Sequence, residues 1–72
     1  MEKLILHPNP ATNHISISNI EFPLNYAIYN TIGTQVSNGK INNNEQIDIV
    51  NYKSGIYIIQ FDNGITMKFV KI

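Results

Sequence analysis

Two histidines, five carboxylates and a scatter of hydroxyls are the residues of this chain that are able to hold a metal, move a proton or attack a carbonyl. His7 and His14 lie on either side of a proline-rich stretch, and neither has a carboxylate or thiolate beside it at metal-ligand spacing. They read as turn or surface histidines. Glu2, Glu21, Glu45, Asp48 and Asp62 fall on different segments, so a paired-carboxylate acid/base site would need a chance convergence in the fold. The serines and threonines come with no Gly-x-Ser-x-Gly elbow and no assignable histidine-acid relay. Gly33, Gly39, Gly55 and Gly64 are separated by whole apolar segments and cannot form a phosphate-binding loop. The expectation is no catalytic residue, no metal and no cofactor: the chain reads as a non-enzyme.

The elements that would position such residues are bounded first by size. A chain of 72 residues makes one small domain, here 1–72 with a core from about residue 4 to residue 72. Without cysteine, no disulfide or thiolate site supplements the core, which does not exclude an extracytoplasmic life. Fourteen isoleucines must supply most of the apolar surface, and the eleven asparagines read as compositional bias. Five basic and five acidic residues balance, with no cationic cluster to neutralise phosphates or anionic lipids, so nucleic acid is not an expected partner. Leu4-Ile5-Leu6 is far too short for a signal peptide, and no segment is long enough to insert in a membrane as a helix. If the module is exported, its signal peptide lies upstream, and Met1 reads as the start of an excised piece.

Period-two alternation recurs and helical spacing does not. His14–Ser18 should put Ile15 and Ile17 inward and its serines outward, and Leu24–Asn30 should put Leu24, Tyr26 and Ile28 on one side. Gln46–Val50 and Ile65–Val70 repeat the alternation, and Lys3–Leu6 reads as a first strand. Gly55–Phe61 carries apolar groups at both parities and reads as a central strand with little solvent on either face. Asp62-Asn63-Gly64 is the strongest turn signal, expected as a type I′ hairpin. Asn30–Gly33 and Ser37-Asn38-Gly39-Lys40 read as looser turns, Asn42–Glu45 as an unanchored polar loop, and Pro8-Asn9-Pro10 as an extended, rigid corner. These elements predict an all-β fold, a small immunoglobulin-like or Greek-key sandwich of about seven short antiparallel strands, with a closed barrel as the alternative.

Four landmarks punctuate this pattern: Pro8-Asn9-Pro10-Ala11, Ile28-Tyr29-Asn30 with Gly33, Gly55-Ile56-Tyr57, and the ending Lys68-Phe69-Val70-Lys71-Ile72. In this order they resemble the type A C-terminal sorting domain of the bacterial type IX secretion system, from about Leu4 to Ile72. His7 stands where that family usually has an aromatic residue, and Tyr52 where it commonly has leucine. The resemblance implies a folded secretion signal that directs a fused N-terminal cargo from the periplasm through the outer membrane to the cell surface or medium. Its partners would be the outer-membrane translocon with its shuttle and receptor proteins, and a sortase-like cysteine peptidase for which the domain is a substrate, cut upstream of the first strand.

The resemblance further implies that Lys68, Phe69, Val70, Lys71 and Ile72 are the translocon-recognition residues, and the expected mode is docking of an exposed strand edge with its apolar side chains. From the alternation, Ile65, Met67 and Phe69 share one face, while Val70 and Ile72 bring apolar groups to the other. Two readings from other classes stand beside this one. A sugar- or protein-binding module would use exposed Tyr26, Tyr29, Tyr52 or Tyr57 as a stacking platform. A spacer within a multidomain adhesin would need the same strands and no site.

Overall fold

Branched and aromatic side chains alternating with short polar ones favour pleated, half-buried segments, and the alternation sets which face each presents. In the structure, a computed structural model describing residues 3–72, they form seven strands. These are β1 (Ile5–His7), β2 (His14–Ser18), β3 (Leu24–Asn30), β4 (Gln35–Ile41), β5 (Gln46–Asp48), β6 (Gly55–Phe61) and β7 (Thr66–Lys71). Met1 and Glu2 lie outside the described residues. A three-stranded sheet, β1-β2-β5, faces a four-stranded sheet, β4-β3-β6-β7, and every strand pairing is antiparallel. This is the strand partition of an immunoglobulin-like sandwich. One isolated bridge, Ala11 to Lys71, joins the two sheets where a barrel would have a continuous ladder.

The core lies between the sheets. Ile15, Ile17 and Ile47 of the smaller sheet meet Ile28, Ile59, Phe61 and Phe69 of the larger, and eight of the twelve buried apolar residues are isoleucine. Each such side chain contributes about 1.5–3 kcal/mol on burial. Leu24, Tyr26 and Ile28 share the inward face of β3, as their spacing predicts.

Several local expectations are corrected. Ser37–Lys40 is no turn: it lies inside β4, paired with Asn25–Ile28. The glycine that suggested a turn is there for a close approach, since a Cβ on Gly39 would lie 3.0 Å from Tyr26 Oη and 3.2 Å from its ring. The β6–β7 hairpin uses three residues. Gly64 donates to the Phe61 carbonyl (3.1 Å) and Phe61 to that of Ile65 (2.9 Å). Gly64 alone takes a positive φ, 90°, as in a type I turn closed by a bulge, where a type I′ turn would need one at Asn63 too. Asn63 Oδ1 accepts from the Ile65 amide instead (3.0 Å).

Strand β6 is central in its sheet, between β3 and β7, yet only its inward face is covered. A two-layer sandwich has no third layer for the other side, and Ile56 stays 44% exposed. Ser16, expected to be wet, is buried because β2 is the middle strand and His7 and Gln46 stand beside it. The Asn42–Glu45 loop is anchored without an apolar residue. The Asn44 amide donates to the Ile17 carbonyl (2.8 Å), and Asn43 Oδ1 accepts from the Ile20 amide (3.0 Å).

Candidate functional site

All four sequence landmarks meet at one end of the four-stranded sheet, where β6 begins and β7 finishes. Pairing forces this. Gly55, Ile56 and Tyr57 stand opposite Lys71, Val70 and Phe69, and Asn30, at the end of β3, stands opposite Tyr57 from the other side. The turn after Asn30 therefore projects from the same end. Its shape comes from Asn30 itself, whose Oδ1 accepts from the amides of Ile32 (3.2 Å) and Thr34 (2.9 Å), while Gly33 closes it at φ 87°. Sequence reasoning placed a turn at Asn30–Gly33 but gave the shaping role to the glycine, whereas the Asn30 side chain shares it.

Beneath this end, the aromatic side chains interlock. Tyr57 stacks on Phe69 with centroids 5.6 Å apart and planes at 21°, and Tyr52 tilts against Tyr57 at 5.0 Å. Their hydroxyls are satisfied, as buried ones must be: Tyr57 donates to the Lys53 carbonyl (2.7 Å), and the Tyr52 hydroxyl is hydrogen-bonded to that of Ser37. The four tyrosines do not form a common exposed platform. Tyr57 is buried, Tyr26 and Tyr52 pack against the core, and Tyr29 has the opposite parity on β3.

Burial holds the Tyr26 and Tyr52 hydroxyls above the ordinary tyrosine value near 10. Neighbouring Tyr52 and Glu45 add to the rise at Tyr26, while the Ser37 hydrogen bond partly offsets it at Tyr52. A pKa raised on folding means that the native state keeps its proton longer than the unfolded chain does. Stability is then whole below the unfolded value and falls as pH rises through the folded one. Thermal unfolding followed from pH 8 to pH 11 should show this alkaline loss, with a shallower slope in Tyr26→Phe.

The Pro8–Ala11 corner is where the fold departs most from expectation. Both peptide bonds preceding its prolines are cis, and it leaves β1 to run along the outer edge of β7. There the Asn9 side chain does the work of a neighbouring strand's peptide group. Its Oδ1 accepts from the Val70 amide (2.9 Å), and its Nδ2 donates to the Lys68 carbonyl (3.4 Å). Buried Ala11 continues the seam, donating to the Val70 carbonyl and accepting from the Ile72 amide, each at 2.8 Å. Pro8 and Pro10 have no amide donor of their own to leave unpaired here. The edge expected to be open for docking is thus closed from Lys68 to Ile72. Asn9→Ala should cost about 1 kcal/mol. Hydrogen exchange at the Val70 amide should speed up about fivefold, that energy converted, with less change in Asn9→Asp, which keeps the acceptor.

Alternation continues to the end of β7, so the five tail residues do not share one environment. Phe69 and Lys71 point into the sandwich, where Phe69 is fully buried and the Lys71 stem is covered, its Nζ donating to the Ile72 carbonyl oxygen (2.8 Å). Lys68, Val70 and Ile72 point out. Among the described residues, no group of three histidines or carboxylates comes together as a metal site. His7 stands on β1 with Nε2 3.0 Å from Ser18 Oγ, and His14 opens β2 opposite Asp48.

A seven-stranded sandwich whose motifs gather at one end, around packing and hydrogen bonds, has the build of a small recognition module. Residues 5–72 match the secretion-system C-terminal sorting domains, and the chain belongs to that family, the sorting signals of type IX secretion. No curated protein and no solved structure matches it. Membership carries with it interaction with the type IX system and export to the cell surface or beyond.

Proposed function

We propose that this domain is the label of a cargo fused upstream of it: it crosses the periplasm, is read by the type IX translocon and its shuttle or receptor proteins, and performs no reaction. A sortase-like cysteine peptidase then removes it on the far side, freeing the cargo or joining it to an anionic lipopolysaccharide. The observation that carries this reading is the convergence of Pro8–Ala11, Gly33, Gly55–Tyr57 and Lys68–Ile72 on one end of the sandwich.

The first strand enters at the opposite end. Leu4 lines a shallow depression together with Phe22, Asn63 and Ile65, beside the β6–β7 hairpin. The chain thus enters the sandwich, whose longest dimension is 32 Å, at the end remote from Gly55–Tyr57 and Ile72.

The test fuses the domain to a signal-peptide-bearing inert reporter in a type IX-competent bacterium. Surface or extracellular reporter, with loss of the domain, is the expected result. An intact fusion retained in the periplasm while native cargo is exported would refute the reading.

A further inference from the structure

Strand β7 ends with its side chains turned against ordinary burial preference. Lys71 is 9% exposed, while Val70 and Ile72, its neighbours, are 36% and 62% exposed. A one-residue slip would reverse every side chain, but it would also expel Phe69 from its stack on Tyr57 and break the Asn9 and Ala11 seam. The register therefore holds Val70 and Ile72 in water. Directly across from Val70 stands Ile56, also well exposed, and half-buried Ile58 and Tyr29 continue the outward stripe across β6 and β3. Lys68 lies in the same face, paired with Ile58. The charged strand residues facing outward on this sheet are Lys40 and Lys68, with no carboxylate among them.

We propose that this outward stripe, Ile56, Val70 and Ile72 with Lys68 at its border, is the surface by which the domain is read. Its occupant is a protein surface of apolar side chains edged by a carboxylate that pairs with Lys68. The proposal rests on the sorting reading above and deepens it. Adjacent residues of the tail do different jobs: Phe69 and Lys71 build the sandwich, while Lys68, Val70 and Ile72 meet the partner. Contact is made through a sheet face, because the corner already occupies the neighbouring edge. Charge selects this occupant over the others. A second copy packed on the same face would bring two lysines against a single carboxylate, Asp62, which Asn25 Nδ2 already holds (2.8 Å) beside the β6–β7 hairpin, so like charge would predominate on both sides. An anionic membrane is held by clusters of about four to eight cations, more than this face carries.

The experiment uses the reporter fusion with three variants: Ile56→Asn/Val70→Asn, Lys68→Glu, and Val50→Asn as a control on an exposed residue outside the stripe. Circular dichroism and thermal unfolding of each isolated domain show whether it folds. The double variant should unfold near the wild-type temperature and lose export about 10- to 30-fold, as truncation of interface anchors does. Lys68→Glu should lose several-fold, and the control nothing. If the double variant fails to fold, Lys68→Glu decides, since its side chain is exposed. Equal export of the folded stripe variants and wild type would overturn the proposal while leaving the sorting reading intact. Loss in the control as well would overturn it too, as would sedimentation showing a dimer that Val70→Asn dissolves, or binding of the domain to phosphatidylglycerol vesicles. Failure of the unmodified fusion to leave the periplasm would strike the sorting reading itself.

Discussion

Phe69→Ala is expected to lower the stability of the isolated domain by about 3–5 kcal/mol, the usual cost of emptying a phenylalanine site in a core. The ring is fully buried, stacks on Tyr57, and lies between the two sheets at the end where the landmarks meet. A domain of this length has roughly 4–10 kcal/mol in all. The variant should therefore populate unfolded chain measurably without denaturant, seen as an early urea midpoint and loss of amide protection on β6 and β7. Phe69→Leu, which keeps much of the volume, should lose far less. A full-sized loss in Phe69→Leu would mean that the stack with Tyr57, rather than the filled volume, holds this end together.

Deleting Lys68–Ile72 should do more harm still, and to the fold before anything else. The deletion removes Phe69, strips four residues from the edge of β6, and orphans Asn9 and Ala11, whose partners are Lys68, Val70 and Ile72. Its far-ultraviolet spectrum should lose the sandwich signature, and all amides should exchange at nearly unprotected rates. Loss of export in such a truncation would then report unfolding rather than an unread signal. Single substitutions at outward positions separate the two effects, because those side chains lie outside the core. A truncated domain that kept cooperative unfolding near the wild-type temperature would show that the tail packs less tightly than its burial indicates.

Two of the failures of sequence reading have one origin. Gln35–Ile41 holds few large apolar residues and contains Ser-Asn-Gly, so by composition it reads as punctuation. It becomes a strand because β3 offers it a ladder and the Tyr26 ring needs the bare backbone of Gly39 beneath it. Likewise, the tail reads as a free edge because nothing close in sequence can cover it. Its cover is Asn9, paired with Val70 from 61 residues away.

By contrast, β2 and β3 have the bounds their alternation predicts and β6 those of its apolar run, and the two-sheet class follows from the count and spacing of such segments. The pattern of side-chain types thus settles these strands, their inward-facing isoleucines and the turns after Asn30 and Phe61, since these follow from local periodicity and turn chemistry. Family membership is legible in the same way, from short motifs kept in order. What depended on the assembled sandwich was the meeting of those motifs at one end, the closing of the β7 edge by Asn9 and Ala11, and the division of the tail into buried and outward residues. Each is a contact between distant segments, and their partners are chosen by strand pairing and core packing rather than by neighbours in the chain.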